Sequence, residues 1–121
     1  MSEKPHKNLK VWQKAVELVV ELYNIINVSF PKSEIFGLSQ QIKRAAVSIP
    51  SNIAEGSARK TRKEQSQFLY IARGSISELD TQLEIAFQLK YLNQEKFNKI
   101  YDQLVEISKM LEGLIKFKSN I

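Results

Sequence analysis

Two runs of this 121-residue sequence carry side chains with the types and spacing for chemistry. One is a polar row, Gln41, Arg44, Ser48, Asn52 and Glu55, whose steps of three and four residues place it on one face of a helix. A shorter row, Ser75, Glu78 and Gln82, repeats that spacing further on. The other run packs Arg59, Lys60, Arg62 and Lys63 into "RKTRK". The rows offer hydroxyls, amides and carboxylates for acid–base or nucleophilic work; the basic run offers charge for phosphate.

Catalysis fails on inventory. The single histidine, His6, lies in the N-terminal tail, so a Ser-His-Asp arrangement has no credible base. One histidine and no cysteine exclude the H-E-x-x-H and thiolate metal sites, disulfides and a cysteine nucleophile. Neither a phosphate-binding G-x-x-x-x-G-K-[ST] nor a dinucleotide G-x-G-x-x-G occurs. Glu78, Asp80 and Glu84 are close in sequence, but Glu78 and Asp80 point to different sides of a helix, and the Glu-x-x-His pairs of a di-metal bundle are missing. The reading is a protein that is not an enzyme and needs no cofactor.

The elements that must position these residues are helices. From Leu9 onward, Trp12, Ala15, Val19, Leu22 and Ile26 recur at helical spacing, with a cap expected near Asn8 and a stop at Pro31. The second stripe runs Leu38, Ile42, Ala45, Ile49 and Ile53, with a bend expected at Pro50. "TRKE" reads as a capping box for the third helix, with Thr61 as cap and Glu64 three residues in, and Asn93 as the cap of the fourth. The expected spans are 9–28, 34–56, 62–90 and 94–117 in one domain over 1–121. Short connections between them make an all-α, antiparallel, up-down-up-down four-helix bundle.

Bulk composition agrees. Apolar residues at 43% support a globular core, and the 4 glycines and 3 prolines are too few for a chain of short strands and turns. No apolar run reaches membrane-span length and the first residues hold no signal-peptide core, so no membrane and a cytoplasmic location are expected. The net charge of +5 permits a phosphate-bearing partner without demanding one.

Three readings of the polar rows stand side by side. They are a packing device in which small residues (Ala45, Ala46, Ser48, Ala54, Gly74, Ser75) let helices approach and Asn52 or the serines serve the carbonyl freed by Pro50; a subunit interface with Arg44 pairing Glu55 or Glu78 across copies; and a ligand site. The basic run is either a solvated turn or an electrostatic footprint for nucleic acid, extended by Lys43, Lys7, Lys10 and Lys14.

"LKVWQKAVEL", "GLSQQIKRAAVSIPSNIAEG" and "FLYIARGSISELDTQLEIAFQLKYL" resemble a four-helix-bundle family first found encoded in intervening sequences of bacterial 23S rRNA genes. The run through Arg44, Ala45, Ala46, Ser48, Ile49, Asn52, Ile53, Ala54, Glu55 and Gly56 is the most specific part, joined by Gly74, Ser75, Glu78, Leu79, Thr81, Gln82 and Leu83. The resemblance implies a homopentameric ring of non-enzymatic bundles. A related branch serves diversity-generating retroelements, where the pentamer binds nucleic acid and a reverse transcriptase. The leading expectation is therefore a homo-oligomer binding structured RNA or a nucleoprotein through a basic surface. The alternative is a protein–protein adaptor with no nucleic-acid role.

Overall fold

The computed structural model describes residues 5–119. Four helices follow one another: α1 (Lys10–Ser29), α2 (Leu38–Ser57), α3 (Arg62–Gln88) and α4 (Gln94–Ser119), with short 3-10 turns at Pro5–Asn8 and Lys32–Glu34. Each packs on its neighbour in sequence, and α1 closes the square against α4, so the bundle is antiparallel and up-down-up-down. The apolar stripes meet inside, where Leu18, Ile42, Ile53, Leu79, Leu83 and Leu111 are fully buried. Across α1 and α4, Lys14 pairs with Glu106 at 3.3 Å and Lys99 with Glu21 at 2.7 Å. These are exposed pairs, each contributing about 0–1 kcal/mol.

Three starts and stops differ from the sequence reading. Asn8 does not cap α1; Leu9 precedes the helix, and Gln13 Nε2 reaches back to the Lys7 carbonyl at 2.8 Å. α2 begins at Leu38 rather than near residue 34, because the Glu34 side chain acts as the cap. Its Oε1 accepts from the Leu38 N–H at 2.9 Å, while its Oε2 accepts from the Tyr91 hydroxyl at 2.9 Å. A Cβ at Gly37 would fall 2.6 Å from that same Oε1, so a side chain there would push the capping carboxylate aside. The third difference is at the far end of α3, which stops at Gln88 instead of 90. Lys90 adopts φ 66°, and its N–H and that of Tyr91 return to the carbonyls of Phe87 and Ala86, each at 2.9 Å. This is the Schellman geometry that usually takes glycine.

The other caps follow the sequence. Thr61 Oγ1 accepts from the Glu64 N–H at 3.1 Å, and Asn93 Oδ1 accepts from the Lys96 N–H at 2.8 Å. Trp12 is half-buried, with the His6 ring set edge-on 5.0 Å away. Among the described residues no helix is long and apolar enough to cross a membrane.

Two outcomes are expected. Lys90→Gly relieves the left-handed strain and raises unfolding free energy by about 1 kcal/mol in chemical denaturation. The Glu34 carboxyl is held below its usual range, first by the Leu38 N–H and then by the Tyr91 hydroxyl. Its contribution to stability is therefore present above the ordinary carboxylate pKa and is lost as pH falls through the lowered value. The Tyr91 phenol is pushed up by the same bond, so its share holds below the ordinary phenol pKa and is lost as pH rises through the raised one. Melting of Glu34→Gln against pH checks this: its deficit relative to the parent should be full near neutrality and vanish in acid.

Candidate functional site

The two polar rows meet along the seam between α2 and α3, the most extensive helix contact in the bundle. Antiparallel packing sets Ser48 against Ser75. One turn along in each helix, the same register brings Arg44 level with Glu78, and a further turn brings Gln41 level with Gln82. Close approach is secured at the other end by Gly56, where a Cβ would lie 3.1 Å from the Gln65 carbonyl and 3.3 Å from the Phe68 Cβ. Gly74 does not share that role: a Cβ there would meet nothing, and the residue faces outward.

At the middle of the seam a directed chain of hydrogen bonds crosses between the helices. Asn52 Nδ2 donates to Ser48 Oγ at 2.9 Å and to the Ser48 carbonyl at 2.8 Å. Ser48 Oγ and Ser75 Oγ are 2.8 Å apart, and Ser75 donates to the Ile71 carbonyl at 3.1 Å. Since the Ser75 proton is committed to Ile71, Ser48 must be the donor between the two hydroxyls. Every proton in the chain is used. The carbonyl that Pro50 frees is that of Ala46, so Asn52 does not serve it as expected. A side chain at this position reaches back four residues, to Ser48. α2 nonetheless stays helical on both sides of the buried Pro50.

The remaining members of the rows do not join the chain. Glu55 turns along its own helix to Arg59 at 2.7 Å, which removes it as a partner for Arg44. Glu78 accepts from Gln82 Nε2 at 3.2 Å, and the buried Gln82 Oε1 is left without a partner. Gln41 and Arg44 are exposed and make no side-chain bond among the described residues. Around them stand outward apolar side chains: Val47 on α2, Ile71 and Ile85 on α3, and Leu89 at the C-cap of α3. The rows form a helix–helix seam with an unfinished outer edge. No general base lies near the hydroxyls, and Asp80 and Glu84 are exposed.

The basic run lies at the turn from α2 to α3, and its four cations do different things. Arg59 is paired with Glu55 and lies 4.7 Å from the Phe68 ring centroid. Arg62 Nη1 donates to the Phe117 carbonyl at 3.0 Å and sits 5.1 Å from the Phe117 ring, tying the turn to the end of α4. Lys60 and Lys63 are exposed, with no carboxylate partner among the described residues. Lys43 does not extend this group. It lies 4.8 Å from the Tyr23 ring, and sixteen residues of helix separate it from Arg59, about 24 Å along the axis. Lys14 is spent on Glu106. The sequence reading missed Lys116, Phe117 and Lys118, which the fold brings to the same turn; Phe117 stands two residues off the apolar stripe of its helix, and that was the available signal.

Recesses on the surface are shallow. One of about 230 Å³ is lined by Leu9, Gly56, Leu69, Leu114 and Phe117 with Lys118 at its side, and holds no carboxylate or histidine.

Fold and seam together define an antiparallel four-helix bundle whose most conspicuous polar groups serve helix packing. The chain belongs to the 23S rRNA-intervening sequence protein family, which it matches over residues 7–113. It is similar to the crystal structure of a protein with unknown function from the S23 ribosomal protein family of Bacteroides thetaiotaomicron VPI-5482. The two are 29% identical, with a TM-score of 0.81 over 88% of this chain and 98% of that one. Among curated proteins no relative matches.

Removing Ser48 Oγ breaks the chain on both sides, taking one hydrogen bond from Asn52 and the bond across the seam from Ser75. Ser48→Ala should cost about 1–2 kcal/mol in denaturant unfolding, and Ser48→Ala with Ser75→Ala should cost less than the sum of the single changes. Strict additivity would show that the two hydroxyls act independently.

Proposed function

We propose that the protein is a non-enzymatic homo-oligomer whose copies join through the outer edge of the α2–α3 seam. One observation carries this reading. Exposed Ile71 and Ile85 on α3, with Leu89 at its C-cap, stand beside Arg44, which has no charged partner among the described residues. Exposed apolar side chains in a row mark an interaction surface. A neighbouring copy supplies the cover that the apolar row needs. Gly74 lies in the same row, where an exposed mid-helix glycine costs about 1 kcal/mol relative to alanine unless another backbone approaches it. With Glu55 committed to Arg59, Glu78 is the partner for Arg44 across copies. Family resemblance puts the number of copies at five.

The assembled particle serves to bind structured RNA by backbone electrostatics. One chain offers few phosphate contacts, and repetition round a ring multiplies them. One of the four cations in the basic run, Arg59, is paired with Glu55, so each copy contributes less free charge than its sequence suggests. That favours the second reading, a scaffold for a protein partner.

Light scattering on the parent and on Ile71→Glu with Ile85→Glu tests assembly. The parent should give a multiple of its 13.9 kDa mass and the variant a folded 13.9 kDa monomer with unaltered helical circular dichroism. A parent that remains monomeric at high concentration contradicts the reading. For RNA, replacing Arg59, Lys60, Arg62 and Lys63 with glutamine should weaken binding of a labelled hairpin and flatten its salt dependence.

A further inference from the structure

We propose that the end of the bundle where the α2–α3 turn meets the last turn of α4 binds unpaired nucleotides of an RNA strand, with Phe117 as a stacking platform. This rests on the RNA reading above and specifies which form of nucleic acid the surface takes.

Phe117 is 60% exposed, an unusual setting for a phenylalanine in a helix otherwise packed on the core. Two cations attend its ring: the Arg62 guanidinium at 5.1 Å and the Lys118 ammonium at 5.8 Å. Arg62 is bonded to a neutral carbonyl, so its charge is uncompensated while its position is fixed. It loses little freedom when a phosphate arrives. Lys60, Lys63, Lys116 and Lys118 are likewise without carboxylate partners among the described residues. A second aromatic continues the surface: exposed Tyr70 lies 4.9 Å from the Arg73 guanidinium, whose charge is paired with Glu112 at 3.4 Å, so Tyr70 adds a ring and no free cation.

The helix C-terminus alone accounts for lysines in the last turn of α4, since cations there are favoured by the dipole. It does not account for an exposed ring among them. Cations beside aromatic faces are the means by which single-stranded nucleic acid is held, phosphates on the charges and bases on the rings. A duplex keeps its base faces stacked on one another and can use only the cations. The apolar recess that Phe117 borders, lined by Leu9, Leu69 and Leu114, adds room for a base beside the ring.

The test uses fluorescence anisotropy of the full-length protein with two labelled probes, a U-rich single strand of about twelve nucleotides and a blunt-ended, GC-rich RNA duplex of similar charge. Phe117→Leu keeps an apolar side chain at an exposed position and removes only the ring. It should weaken single-strand binding about tenfold and leave duplex binding and both salt slopes unchanged. Lys116→Gln with Lys118→Gln should weaken both probes and flatten both slopes. If Phe117→Leu binds the single strand as the parent does, the stacking site is wrong while the electrostatic reading survives. If the parent binds neither probe at low salt, both fall, and the patch is a protein contact.

Discussion

The register of α2 against α3 depends on one chain of hydrogen bonds, from Asn52 through Ser48 and Ser75 to the Ile71 carbonyl. Two hydroxyls and an amide between helices are costly to bury unless each proton finds an acceptor, and here each does. A slip of one turn would separate Ser48 from Ser75 and take from the Ser48 proton its acceptor across the seam, while the bonds within each helix would remain. Gly56 reinforces the same register, because only there can the Gln65 carbonyl come within contact of an α-carbon. The apolar core supplies most of the driving force, but Leu, Ile and Ala would tolerate neighbouring registers. The polar chain selects one.

With that register fixed, everything on the outer edge of the seam acquires a position. Arg44 comes level with Glu78, Gln41 with Gln82, and Ile71, Ile85 and Leu89 line up along one side. Of these, Arg44 and the apolar side chains are left without partners among the described residues. The basic turn depends on the same packing, since α3 begins only a few residues beyond Gly56 and its first residue, Arg62, reaches the end of α4. Thus the seam decides both where the open apolar edge lies and where charge collects.

The fold was legible in the sequence because apolar residues at steps of three and four define the helices, and short connections leave little choice of topology. The polar rows were legible too, by the same spacing. Their partners were not. Periodicity places Glu55 on a face but cannot say that it turns to Arg59, one turn along its own helix, rather than to Arg44. It marks Pro50 as a lost donor but not that Asn52 reaches the Ser48 carbonyl instead of Ala46. The second helix was expected from residue 34, whereas Glu34 caps it from outside through a side chain that also engages Tyr91, which lies far away in sequence. The basic run was visible as a cluster, yet the aromatic beside it comes from the last turn of α4, and only the folded chain brings Phe117 and Arg62 together.

The central claim is that the outer edge of the α2–α3 seam is covered by another copy. The chain has no cysteine, so a single thiol can be placed at will. In the isolated chain Ile85 on the seam and Tyr101 on α4 are almost equally open, 45% and 42% exposed. The decisive measurement is the rate of maleimide labelling of Ile85→Cys against Tyr101→Cys at a concentration where the protein is assembled. The account predicts marked protection at position 85 alone, lost on dilution. Equal rates at the two positions, with the protein assembled, would show that copies meet elsewhere and that the seam is packing and nothing more.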